Sequence, residues 1–322
     1  MPQLEVNGAE LYYEVCGGGP PVLLIMGFTG DAGHFETLAD ALASEFTVIS
    51  YDRRGNGRSP RPPGWAATRP EEQADDAAAL LTVLGLSPAA VFGTSAGANF
   101  AVCLLIRHPE TVSGAVLHET ALVRLFDDPG ARGAVSELVQ EAMGTGGTPA
   151  ALEALWRYVA GDPNWERLQP ALRARMQSSA ETFFGVELGS YEGFLPDDKT
   201  LAAIAVPVMV LVSEQSHAVY AQAAGRLAHR LGVEVTRTPG THTAYHDHPH
   251  ELAQTIRPFL GDVLPAAVIT ALHPAGLPRS HNEAFRITDG NIAVGNQATP
   301  SRRYPVPRRP AADHAPQSTP VA

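Results

Sequence analysis

The chain has 322 residues, 18% of them charged and 44% hydrophobic, and a formal net charge of -11 at pH 7. It is long enough to bury a full core, no apolar run reaches the length of a helical membrane span, and the acidic balance disfavours nucleic acid or an anionic membrane surface, which select basic faces. A small neutral or apolar molecule is the expected partner.

In chain order, Leu4 and Val6, then Asn7-Gly8, then Leu11, Tyr13 and Val15 predict a hairpin turned by Asn-Gly. The polar start at Met1 lacks the basic and apolar regions of a secretory leader, so a cytoplasmic protein is expected. Pro21 to Met26 is a continuous apolar run, as in a strand covered on both faces. His34 to Glu45 predicts a helix and Phe46 to Tyr51 another buried strand. The following loop, Asp52 to Ser59, reads as a structural turn permitted by Gly55 and Gly57. Glu71 to Leu84 has apolar residues at helical spacing.

Ala89 to Phe92 is a short apolar strand that runs into Gly93, Thr94, Ser95, Ala96 and Gly97, then into a small-residue helix. A serine on a sharp strand-to-helix turn needs glycine two before and two after, because side chains there would strike neighbouring backbone. The same turn aims the first free N–H groups of the helix at whatever Ser95 attacks. A hydroxyl is a poor nucleophile at neutral pH, so a base must stand elsewhere.

Gly114 to Leu117 predicts a further strand, ending at His118, Glu119 and Thr120. From residue 121 to 200 only helical patterns occur, which predicts an all-helical lid. Of its Trp156, Trp165, Phe183, Phe184, Tyr191 and Phe194, one or two are expected to touch substrate and the rest to form the lid's own core. The strand pattern returns at Val206 to Val212, followed by a helix from Tyr220 to Leu231, a strand from Val233 to Arg237, His242, and a helix from Pro249 to Leu260. Beyond about residue 262 the periodicity fails and a proline- and arginine-containing disordered tail with no catalytic role is expected. Cys16 and Cys103 have neither disulfide-framework nor zinc-ligand spacing and are expected reduced, Cys103 in the core.

Strands alternating with helices predict a mostly parallel sheet with helices on both faces. With the Ser95 elbow, the Gly27-Phe28 loop, the Asp52 to Ser59 loop and a late His242 in this order, residues 3 to 261 resemble the α/β-hydrolase superfamily. The resemblance implies an eight-stranded-type sheet, with residues 1–120 and 201–261 as core, 121–200 as lid and 262–322 as tail. It implies a serine that is acylated, with His242 as general base and backbone N–H groups of Phe28 and Ala96 as the oxyanion hole. No cofactor or metal is implied. Many members begin the oxyanion loop with His-Gly, and here Met26 stands in for that histidine.

The acid departs from the commonest pattern. Where much of the family has an aspartate after the later strand, this chain has Ser216, which cannot stabilise an imidazolium as a carboxylate does. Some branches take the acid from the end of the preceding strand, and Glu119 stands there; Glu214 is the second candidate and Asp247 the third.

A serine nucleophile makes the chemistry of the aspartate-dependent dehalogenases and epoxide hydrolases of this superfamily unexpected and leaves acyl bonds: esters, lactones and their relatives. Two rivals stand beside this reading. A non-catalytic ligand-binding member of the fold would explain the unsettled acid. A metal-dependent hydrolase would use the cluster of His242, His246, Asp247, His248 and His250, although residues around Pro249 are expected to splay apart.

Overall fold

The apolar runs form the middle of one sheet. In the computed structural model, which describes residues 3–126, 129–264, 286–288 and 291–293, eight strands lie in the order β1-β2-β4-β3-β5-β6-β7-β8. β1 (Gln3–Val6) and β2 (Ala9–Gly17) make the predicted antiparallel hairpin, and Asn7 and Gly8 both adopt the positive φ (47° and 72°) that such a two-residue turn requires. β2 pairs antiparallel with β4 (Thr47–Tyr51). From there β3 (Pro21–Ile25), β5 (Ala89–Thr94), β6 (Val112–His118), β7 (Val208–Ser213) and β8 (Val235–Thr238) extend the sheet in parallel.

Every residue of β3 and β5 is buried, the mark of strands covered on both faces. The covering helices include α1 (Glu36–Leu42), α2 (Pro70–Leu84) and α3 (Ala96–Arg107), with α2 packed on α3. Between β6 and β7 the elements described are helical. They comprise α4 (Pro129–Ala160, broken at Gly146-Gly147), α5 (Asp162–Arg167), α6 (Pro170–Ser178) and α7 (Ala180–Thr182). A π-helical turn at Phe183–Glu187, α8 (Leu188–Glu192) and α9 (Asp198–Ala202) follow. α10 (Ala218–Leu231), α11 (Ala244–Asp247) and α12 (Pro249–Val263), which packs on α1, complete the core.

Among the boundaries that differ from expectation, two have a clear physical cause. β7 begins at Val208 because Pro207 has no N–H to give the ladder. α12 continues past Leu260 because Leu264 falls on the same buried stripe and is 4% exposed. Of the expected tail, β9 (Arg286–Thr288) and β10 (Asn291–Ala293) pair antiparallel, and the remainder lies outside the described residues. No helix among the described residues is long and apolar enough to cross a membrane.

Candidate active site

The parallel register brings the chemistry to one edge of the sheet. Ile25 pairs with Gly93, Thr94 with His118, and His118 with Leu211, so β3, β5, β6 and β7 end side by side. The ladder continues one residue further: the Ser95 N–H donates to the His118 carbonyl (3.0 Å) and the Glu119 N–H to that of Leu211 (3.0 Å).

Ser95 connects β5 to α3 with φ 55° and ψ -126°, a conformation rarely held by a residue with a side chain and one that marks functional turns. Its neighbours permit the turn by being glycines. A Cβ on Gly93 would stand 2.5 Å from the Gly97 carbonyl oxygen, and one on Gly97 would collide with the carbonyl of Ile25. The Ser95 carbonyl accepts from the N–H groups of Ala98 (3.0 Å) and Ala121 (3.2 Å), which fixes the elbow from both sides. The Ser95 side chain makes no hydrogen bond among the described residues.

The structure brings His242 and Glu119 together. His242, in the loop between β8 and α11, places Nδ1 2.6 Å from Glu119 Oε2, with both side chains buried. A carboxylate only accepts, so the imidazole carries its proton on Nδ1 and leaves Nε2 as a lone pair. Glu119 also accepts from the Ser213 N–H (2.8 Å, Oε1) and the Ser216 hydroxyl (2.6 Å, Oε2). Burial alone would raise its pKa, but the hydrogen bonds from His242 and Ser216 hold the carboxyl below the usual glutamate value. Tyr220 stacks on the imidazole at 4.2 Å. Ser216, at the position where the commoner pattern has an aspartate, is a donor to Glu119, which follows the neighbouring strand.

The other two acids lie elsewhere. Glu214 is exposed and joins the sheet through its backbone N–H to Thr238 (2.9 Å). Asp247 is taken up by Asn164 (3.0 Å), Thr241 and His248 (3.1 Å). The histidine cluster also disperses: His246 bonds His34 (2.8 Å), His248 faces Asp247, and His250 is exposed. Among the described residues no group of three or more His, Cys, Asp or Glu is placed to hold a metal ion.

Gly27 and Phe28 follow β3. A Cβ on Gly27 would stand 2.9 Å from that of Ser95 and 3.2 Å from the Ala96 nitrogen, so this backbone lies directly against Ser95. The N–H groups of Phe28 and Ala96 donate to no carbonyl among the described residues. Of the lid aromatics, Trp156 and Phe183 reach the Phe28 ring, at centroid distances of 5.7 and 5.3 Å. Trp156 also stacks on His34 (5.2 Å). A cavity of about 340 Å³ opens beside this ring cluster at the seam between core and lid, lined by His34, Arg167, Leu172, Arg175 and His246; Ser95, His242 and Phe28 do not line it. The serine is 6% exposed.

Two residues near this loop carry no local signal in the sequence. Arg53, in the turn read as purely structural, and Glu187, in the π-helical turn of the lid, form a fully buried ion pair at 2.6 Å. They are 134 residues apart, and only the fold unites them.

Comparison with known proteins agrees with this architecture. Residues 20–249 match the model of the alpha/beta hydrolase fold family. The chain is 30% identical over 262 residues to the uncharacterized hydrolase YraK of Bacillus subtilis, covering 80% of this chain and 94% of that protein. A thermophilic esterase from Thermogutta terrifontis superimposes with a TM-score of 0.68 at 24% identity, over 82% of this chain and 100% of that one. The enol-lactonase from Burkholderia xenovorans LB400 does so with a TM-score of 0.61 at 20% identity, over 80% and 99%. The match to the family model spans most of the chain, and with the near full-length likeness to a bacterial hydrolase it establishes that this protein is an enzyme of the α/β-hydrolase family.

Proposed function

We propose that the protein is a serine hydrolase that cleaves an ester, lactone or related acyl bond of a small, largely apolar substrate. The observation that carries this reading is the 2.6 Å contact between His242 Nδ1 and Glu119 Oε2, on the same sheet edge as the strained Ser95. Glu119 fixes the imidazole tautomer and stabilises the imidazolium that forms when Nε2 takes the Ser95 proton. The Ser95 oxygen then attacks the carbonyl carbon, and the N–H groups of Phe28 and Ala96 receive the oxyanion. His242 returns the proton to the leaving oxygen, an acyl-enzyme remains on Ser95, and water activated by the same histidine releases the acid. General-base assistance of this kind contributes about 10² to 10⁴ in rate, and each oxyanion donor about 3 to 4 kcal/mol of barrier.

The apolar character of the substrate is drawn from the ring cluster of Phe28, Trp156 and Phe183, and its small size from the burial of Ser95. The esterase and the enol-lactonase named above lend the substrate class. The free thiols of Cys16 and Cys103 suit a reducing, cytoplasmic setting. Turnover of a panel of p-nitrophenyl esters and aliphatic lactones by the wild type and Ser95→Ala tests the reading. Loss of turnover in the variant with its melting temperature retained is expected. Full activity without the hydroxyl would refute it.

A further inference from the structure

The oxygen end of one peptide unit is held by an ionic network that reaches into the lid. Arg53, with no exposed surface, has five N–H donors, and each meets an acceptor. Nε donates to the Met26 carbonyl (3.0 Å), and Nη2 to the Gly27 carbonyl (2.7 Å) and Glu187 Oε2 (3.0 Å). Nη1 donates to Glu187 Oε1 (2.6 Å) and Gln73 Oε1 (3.1 Å). The guanidinium also lies 4.9 Å from the centroid of the Phe100 ring, on the helix that follows Ser95, and the backbone N–H of Arg53 donates to the Gly30 carbonyl (2.8 Å). The loop from Met26 to Gly30 is wrapped around this one side chain.

The Gly27 carbonyl and the Phe28 N–H belong to the same peptide unit. That unit is trans and planar, so its oxygen and its N–H point in opposite directions. Fixing the oxygen fixes the direction of the N–H. A cation on the oxygen also polarises the unit and makes its N–H a stronger donor.

We propose that Arg53 is the positioning residue for the Phe28 oxyanion donor, and that Glu187 makes this grip depend on a seated lid. The inference rests on the reading of the Phe28 N–H as part of the oxyanion hole. Glu187 is itself held by the Asn56 amide (2.9 Å, Oε1) and the Tyr191 hydroxyl (2.6 Å, Oε2). Phe183, on the same π-helical turn, rests on the Phe28 ring. The lid therefore touches both ends of the arrangement: its carboxylate orders the arginine that holds the peptide oxygen, and its aromatic ring covers the residue that presents the N–H. Lysine cannot replace Arg53, because an ammonium is a point charge with three donors and cannot span Glu187 and two adjacent carbonyls.

The test uses the whole chain as wild type, Arg53→Lys and Glu187→Gln, with p-nitrophenyl butyrate and its thionoester counterpart. Labelling of Ser95 by a fluorophosphonate counts the active sites. Sulfur is larger than oxygen and a poorer acceptor, so the ester-to-thionoester ratio of kcat/KM reports how well the donors are placed. Per labelled site, Arg53→Lys is expected to lower kcat for the ester about 10²-fold, near the lower end of what loss of one donor costs. KM should change little and the ester-to-thionoester ratio should fall. Glu187→Gln should give a smaller loss in the same direction. Variants that label at Ser95 yet keep the wild-type ratio overturn the inference, even if their stability has dropped. If Arg53→Lys does not fold, the ratio in Glu187→Gln decides alone. A wild type that forms no adduct at Ser95 removes the underlying reading, and is recognised before any variant is compared.

Discussion

Glu119 and Glu187 are both fully buried carboxylates, each bound to a nitrogen base at 2.6 Å, yet they serve opposite ends of the site. Glu119 stands at the end of a core strand and faces His242, which in the proposed mechanism is a base that gains and loses a proton during turnover. Glu187 stands in the lid and faces Arg53, whose charge never changes: burial pulls the guanidinium down, but the adjoining carboxylate keeps it above the ordinary arginine value. A buried charge paired with a titratable group tunes chemistry. One paired with a permanent cation fixes shape.

The sharpest way to separate them is to neutralise each in turn. Glu119→Gln should lower kcat by about 10⁴, because the amide favours the wrong imidazole tautomer and cannot stabilise the imidazolium; Glu214→Gln should leave kcat unchanged. Steady-state kinetics on one ester substrate checks both, and a reversed pattern would move the acid to the later strand. Next, Glu187→Ala leaves Arg53 buried without its counter-charge and should cost about 3 to 5 kcal/mol of stability, read by denaturant unfolding.

Acid should distinguish the two sides further. His118, the last residue of β6 before Glu119, lies between the Thr94 hydroxyl (2.9 Å) and that of Ser213 (2.9 Å). Burial pushes it down to about 4, against the pull of Glu119. The unfolded chain takes up that proton near pH 6.5. Stability from this residue is therefore full above about pH 6.5 and is lost as the pH falls towards 4, at about 1.4 kcal/mol per pH unit. His118→Asn should flatten the unfolding profile across that window, and an unchanged slope would refute the neutral His118. The smallest effect is expected at Ser216: Ser216→Ala removes one of the donors to Glu119, and kcat should fall only a few-fold, about 1 kcal/mol or less.

The two sides also differ in how far they can be read from sequence. Ser95, His242 and Phe28 follow apolar strands and stand next to turn residues, so local pattern places them. Glu119 is legible only as the residue that ends β6; its partners Ser213 and Ser216 are 94 and 97 residues away. Glu187 sits among helical residues with nothing to distinguish it from a solvated glutamate, and Arg53 is one of two adjacent arginines in a glycine-bearing turn. Their pairing is set by how the lid lies on the core, which no periodicity encodes. Likewise the sequence groups His246 with its neighbours, whereas its partner His34 lies in a 3-10 turn (Ala32–Phe35) between β3 and α1. The helical content of the lid, by contrast, followed directly from apolar spacing.

The central claim is that Ser95 is an activated nucleophile. Intact-mass analysis after fluorophosphonate treatment, with peptide mapping, tests it most directly in the wild type, Glu119→Gln and His242→Ala. A single adduct on Ser95, formed rapidly in the wild type and slowly in both variants, is the result predicted. No adduct on Ser95, or equal labelling rates in all three proteins, would contradict it.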